Sequence, residues 1–174
     1  MLSLARLGKE EESEKITLEE SPLREILESA VQACSLKASE KNIKINFICE
    51  ENIKAKINPR LLEQAVVNLI DNVIKYSEPE KEVDVITKKS NGKVIINVSD
   101  HGCGIEKDHL SRIFERFYRV DRARSRDLGG TGLGLAIVKH IAQLHQGEVA
   151  VESTPGEGSV FSISLNTQLS MKDC

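Results

Sequence analysis

With 174 residues, a net charge of −3 and a composition of 40% hydrophobic and 29% charged residues, the chain has room for one domain with a substantial core and no whole-molecule attraction to nucleic acid or anionic lipid. Cys34, Cys49, Cys103 and Cys174 show no C-x-x-C spacing and the histidines form no zinc pattern with them, which points to reduced thiols rather than disulfides or metal. No apolar run approaches the ~20 residues needed to span a bilayer and no leader peptide is visible, so the expectation is a cytoplasmic chain without direct membrane contact.

In chain order, MLSLARL puts Leu2, Leu4 and Leu7 on one stripe of a helix, and the charged run GKEEESEK follows, so 1–15 reads as a helix end and a linker. After ITLEE, Ser21 is placed to cap a helix and Pro22 to occupy its first turn. Leu23, Ile26, Leu27, Ala30, Val31 and Cys34 continue at helical spacing. KINFICE alternates with Ile45, Phe47 and Cys49 on one side, and IKAKI at 53–57 repeats the pattern before Asn58 and Pro59 start a second helix. A hairpin between two helices is expected. VDVITKK and KVIINVSD flank Ser90-Asn91-Gly92 and predict another hairpin. The helix LGLAIVKHIAQLHQ should stop at Gly147, and EVAVES and SVFSISL should pair around Pro155-Gly156-Glu157-Gly158. The whole predicts an α/β two-layer sandwich, a mixed and mostly antiparallel sheet with helices on one face.

Chemistry concentrates in three places. DLGGTGLGLAIVKH carries four glycines in six residues at the mouth of a helix, where unpaired N–H groups and bare backbone suit a phosphate. It is neither G-x-G-x-x-G after a buried strand nor a P-loop ending in Gly-Lys-Ser/Thr, and a flexible loop feeding a core helix is the competing reading. On the second helix, Leu62, Val66, Leu69 and Val73 form the core stripe, while Asn68, Asn72 and Lys75 share an adjoining polar face with Tyr76 at its edge. That face is either solvated or functional. Two asparagines are poor helix formers, and their carbonyl oxygens suit a hard cation such as Mg²⁺. Asp100 ends a strand and is followed by His101-Gly102-Cys103-Gly104, which is a turn or a place for a flat ligand to meet backbone. IFERFYRV follows, in which Phe114 and Phe117 can also be core. The next stretch carries Arg122, Arg124 and Arg126 and is expected to form a mobile basic lid from Arg122 to Gly130.

Taken in order and at these separations, NLIDNVIKYS, DHGCG, FERFYR, GGTGLGLAIVK and TPGEGSVF resemble the N, G1, F, G2 and G3 boxes of the catalytic ATP-binding domain of sensor histidine kinases. That family has the Bergerat nucleotide-binding fold, shared with Hsp90, gyrase and MutL. The resemblance runs from Ile16 to Leu165, giving an ATP-binding domain over 16–167 and a C-terminal tail over 168–174. MLSLARL resembles the last turns of the dimerisation helix that precedes such a domain.

The resemblance implies ATP and Mg²⁺ as cofactors and a catalytic set of Asn68, Asn72, Lys75 and Arg119. Asn72 is the implied metal ligand, with Asn68 one turn earlier in the same site, Lys75 on phosphate and Tyr76 beside the adenine. Asp100 is implied to accept the adenine amino hydrogen, with Gly102, Gly104 and Ile105 around the base and Phe117 among the cofactor-binding residues. Arg119 approaches the terminal phosphates, which Gly130, Thr131, Gly132, Leu133 and Gly134 cradle beneath the lid. Gly156 and Gly158 shape a turn. The implied partners are a histidine-bearing dimerisation domain of the same kinase and a downstream response regulator, not nucleic acid, and the implied parent is membrane-anchored.

Two departures stand out. None of His101, His109, His140 or His145 lies in the family's His-Glu or His-Asp acceptor motif, and these four read as surface, loop or helix positions. Where ATP-hydrolysing relatives place a glutamate to activate water, this chain has Asn68, and an amide is no general base. The expected function is transfer of the γ-phosphoryl group of Mg-ATP to a histidine supplied from elsewhere. An anti-sigma-factor-type serine kinase and a non-catalytic nucleotide sensor are the alternatives.

Overall fold

The computed structural model describes residues 16–50, 52–120 and 130–167. The expected helix end and linker over 1–15, the tail over 168–174 and the lid arginines Arg122, Arg124 and Arg126 lie outside the described residues.

The elements run β1 (Glu19–Pro22), α1 (Leu23–Glu40), β2 (Lys44–Ile48), β3 (Lys54–Ile57), α2 (Pro59–Tyr76), β4 (Glu82–Ser90), β5 (Lys93–Asp100), the short α3 (Lys107–Leu110), α4 (Gly134–Leu144), β6 (Glu148–Thr154) and β7 (Gly158–Asn166). A five-stranded sheet has the order β2-β4-β5-β7-β6, and β1 pairs with β3 in a separate ribbon. β2 runs parallel to β4, and the remaining pairs in the large sheet are antiparallel. This is the mixed α/β sheet that the sequence predicts.

The core follows from the two periodicities. Val83 and Val85 of β4, Val94, Ile96 and Val98 of β5, and Phe161, Ile163 and Leu165 of β7 alternate onto one face. They meet the apolar stripes of Leu23, Leu27 and Ala30 on α1, Leu62, Val66, Leu69 and Val73 on α2, and Val138 and Ile141 on α4. Burying a side chain of this size contributes roughly 1.5–3 kcal/mol. α2 begins as expected, with the Asn58 side chain accepting from the Leu61 N–H at 3.1 Å and Pro59 in the first turn.

Two local expectations are corrected. β2 and β3 do not form a hairpin. β2 pairs with β4 in register Phe47 to Val85, and β3 pairs with β1 in register Glu19 to Ile57. Alternation marks a strand but not its neighbour, and here Cys49 and Ile53 both turn into the core between the two strands. Ser21 does not cap α1: it is buried in β1, and Pro22 is the N-cap, extended at φ −69° and ψ 128° with no side-chain cap bond. α4 stops before Gly147 as expected: the Gly147 N–H donates to the Ala142 carbonyl at 2.8 Å, with Gln146 left-handed at φ 54°. Of the four histidines, His145 takes a helix position, as the C-cap of α4. It is buried, its Nε2 accepting from the Asn58 N–H at 2.9 Å and its Nδ1–H donating to the Ile141 carbonyl at 2.7 Å.

Candidate functional site

The second half of α2, the end of β5 with the loop after it, residues 118–120 and the start of α4 surround a cavity of about 370 Å³. The helix supplies Asn68, Asn72, Lys75 and Tyr76, brought onto one wall by the 3.6-residue repeat. Asn68 Nδ2 is buried without a hydrogen-bond partner, an arrangement that costs energy unless something enters to satisfy it. Lys75 Nζ lies 5.4 Å from the centre of the Tyr76 ring. Burial first, then the neighbouring charges of Arg119 and Lys41, hold the Lys75 ammonium below its usual range, so an anion entering here relieves a standing cost.

Asp100 closes the opposite end. It is the last residue of β5, faces inward with the core positions of that strand and is buried. Oδ1 accepts from the Gly102 N–H at 2.8 Å. Desolvation holds the carboxyl above its ordinary 3.8, opposed by the backbone N–H groups of Gly102 and Ser159 and by His101. A β-carbon at Gly102 would sit 2.8 Å from both this oxygen and the Tyr76 carbonyl. Gly104, at φ +69°, is packed so closely on the β6–β7 hairpin that a β-carbon would fall 2.1 Å from the Thr154 carbonyl oxygen. The same hairpin straps the loop further. The Ile105 N–H donates to Ser153 Oγ at 2.8 Å, and the Gly156 N–H donates to the Cys103 carbonyl at 2.8 Å.

Arg119, Gly130, Thr131, Gly132 and Gly134 complete the far wall. No side chain caps the N-terminus of α4, and its first residues, Gly134 and Leu135, line the cavity, which puts the positive end of the helix dipole at this wall.

Of the residues singled out from sequence, Asn68, Asn72, Lys75, Tyr76, Asp100, Gly104, Ile105, Arg119, Gly130, Thr131, Gly132 and Gly134 line this cavity together. Gly102, Phe117 and Leu133 do not. Gly102 stands behind the Asp100 carboxylate, and Leu133 is the N-cap of α4. Phe117 has φ 65° and is 69% exposed, while its N–H donates to the Gly132 carbonyl at 2.8 Å. That reversal of the chain turns the next ring, Tyr118, inward in its place, where its hydroxyl meets His109 Nδ1 at 2.6 Å. Sequence reasoning also missed Asp71, Ile113, Val120, Leu135, Ser159 and Phe161 in the lining. Ser159 sits opposite Asp100 in the β5–β7 register, a pairing that no local signal announces. Among the described residues, no group of three or more His, Cys, Asp or Glu side chains is arranged to hold a metal ion, and no helix is long and apolar enough to cross a membrane.

The model of the histidine kinase-, DNA gyrase B- and HSP90-like ATPase family matches residues 57–169. The sensor-like histidine kinase SenX3 of Mycolicibacterium smegmatis is 43% identical over 140 residues, covering 80% of this chain and 36% of SenX3, so the chain spans little more than a third of that relative. Full-length ShkA, solved in complex with AMPPNP, is 28% identical with a TM-score of 0.78 over 95% of this chain and 34% of ShkA. The nucleotide-free catalytic domain of histidine kinase ThkA shares the fold at 23% identity, with a TM-score of 0.77 over 87% of this chain and 97% of that domain. The chain therefore belongs to the histidine kinase-, DNA gyrase B- and HSP90-like ATPase family, as an ATP-binding domain of the sensor histidine kinase type.

Proposed function

We propose that the chain is the catalytic unit of a sensor histidine kinase, which binds Mg-ATP in this cavity and transfers the γ-phosphoryl group to a histidine on a dimerisation domain. The carrying observation is the meeting, in one cavity, of a buried carboxylate at one end with Lys75, Arg119 and an uncapped helix N-terminus at the other. Asp100 accepts the adenine amino hydrogen, and Tyr76 and Ile105 flank the base. Lys75 and Arg119 neutralise the phosphates, and the backbone N–H groups from Gly130 to Gly134 cradle them.

The residues fit a magnesium ion. Asn72 lines the cavity, and the orphaned amide of Asn68 stands one turn away. Neutral amide oxygens are hard ligands of the kind Mg²⁺ combines with phosphate and water. Asn72 would hold the ion, with Asn68 beside it. Either end of the Asn68 amide gains a partner when Mg-ATP enters. A bound ion would offset the charge on the phosphate oxygens.

In transfer, the bond between the γ-phosphorus and the β,γ-bridging oxygen breaks as an imidazole nitrogen bonds to phosphorus, and ADP departs. Lys75 and Arg119 meet the charge that develops on the leaving phosphates. Water competes poorly because the amide of Asn68 cannot take its proton. A response regulator is the next acceptor, and the parent protein is membrane-anchored. The test is to add the dimerisation domain of the same kinase as a separate polypeptide. Acid-labile, alkali-stable phosphate on that domain is the expected product, whereas acid-stable phosphate on a serine-bearing partner would assign the chain to the serine kinases of this fold.

A further inference from the structure

Lys41 follows the last turn of α1 and lines no part of the cavity. Its side chain crosses to the end of α2, where Nζ donates to the carbonyls of Ile74 and Lys75 at 2.9 Å each and of Ser77 at 3.4 Å. A helix ends with carbonyls that have no partner of their own, and Ser77 relieves one by donating its N–H to Val73 at 2.9 Å. The ammonium takes the next two, of Ile74 and Lys75, and, past Tyr76, the carbonyl of Ser77, so its three protons have three acceptors. A cation here also meets the negative end of the helix dipole.

The base of the side chain is anchored as well. The Lys41 N–H donates to Ala38 at 3.1 Å, and its carbonyl accepts from the Glu80 N–H at 3.2 Å. The turn it grips carries Lys75 and Tyr76, whose side chains enter the cavity, and the Tyr76 carbonyl on the other side of that turn is packed against Gly102. The last turn of α2 is thus held between a clamp of charge and the loop that orients Asp100.

We propose that Lys41 is a positioning residue of the nucleotide site, fixing Lys75 and Tyr76 for ATP by clamping the carboxyl end of α2 without touching the nucleotide. The proposal rests on the ATP reading above. A simple tie between helices would move stability alone. A positioning group moves affinity too, and another charged donor rescues it.

The test measures binding of a fluorescent ATP analogue with Mg²⁺, alongside thermal unfolding, in the full chain. Lys41→Met should weaken binding on the order of 10-fold, the lower end of what losing a supporting group costs at a metal site. Lys41→Arg keeps the cation and should recover most of that loss. Ser29→Ala removes a different bond between α1 and α2, the hydroxyl to Glu63, and should leave binding unchanged. If Lys41→Met does not fold, Lys41→Gln carries the same comparison, since it keeps a donor and lacks the charge. Wild-type binding with an unchanged Lys41→Met or Lys41→Gln overturns the inference alone, as does an arginine variant no better than methionine. A wild-type chain that binds no nucleotide overturns the ATP reading together with it.

Discussion

The Gly102 N–H and the Asp100 carboxylate meet at 2.8 Å, and a β-carbon on Gly102 would stand at the same 2.8 Å from that carboxylate oxygen. One position therefore both orients the acceptor and leaves it room. Gly102→Ala should push the carboxylate off its line or the loop away from Tyr76, and ATP binding should weaken by about 1–3 kcal/mol, the usual cost of a misplaced buried acceptor. Titration with ATP checks this, and an alanine variant binding as tightly as wild type would contradict it.

Asp100 also predicts opposite pH responses for folding and binding. Desolvation raises its pKa above 3.8. Its contribution to stability is therefore complete below 3.8 and is lost as pH rises through the shifted value, so the empty domain carries the cost of a buried charge at neutral pH. Base binding runs the other way, because the ionised form is the better acceptor. ATP affinity should fall as pH drops through the shifted value, and Asp100→Asn should lose this pH dependence along with about 1–3 kcal/mol of ATP binding. The variant's loss should be larger for ATP than for GTP, and equal losses would remove Asp100 from base reading.

Asn72→Ala should abolish magnesium-dependent nucleotide binding while leaving the fold intact. The residue is on the cavity wall of α2 and outside the buried stripe of Leu69 and Val73, so truncation leaves no void in the core. Calorimetry with Mg-ATP, set beside a denaturant melt, separates the two effects. Unchanged affinity would dismiss the metal assignment.

Cys103 is exposed and lines the cavity, whereas Cys34 and Cys49 are buried and the Cys34 thiol is pushed up to about 12 by burial and by Asp71. Alkylation within the described domain should therefore fall on Cys103 and slow markedly when ATP is bound. Peptide mapping after timed labelling reads this directly. Identical rates with and without nucleotide would make Cys103 a filler between two glycines.

His145 should be needed for stability and not for transfer. One nitrogen of its buried imidazole accepts from the Asn58 N–H and the other donates to the Ile141 carbonyl. His145→Ala leaves the half-buried N-cap N–H of α2 without a partner and should cost about 1–3 kcal/mol in urea unfolding. Phosphorylation of an added dimerisation domain should persist wherever the variant remains folded.

What the sequence disclosed was what short-range chemistry determines. Asn58-Pro59 followed by Leu62, Val66, Leu69 and Val73 defines α2, and the same repeat puts Asn68, Asn72 and Lys75 on one wall. Asn91-Gly92, both at positive φ, supplied the β4–β5 turn. The strand partners of β2 and β3 and the placement of Ser159 beside Asp100 depend on residues far apart in the chain, so alternation could not reveal them. Phe117 and Tyr118 are adjacent aromatics that residue type alone does not tell apart. Only the left-handed backbone at Phe117 decides which ring faces inward.

The strapping of the Cys103–Ile105 loop by the β6–β7 hairpin has a consequence for synthesis. A nascent chain emerges with α2, β4 and β5 first, yet the strand that pairs with Asp100 and the turn that braces Gly104 come last among the described elements. The Asp100 end of the cavity cannot assemble until then. A chain cut short before β7 therefore lacks both the strand that pairs with Asp100 and the turn that braces Gly104, and with them this end of the cavity.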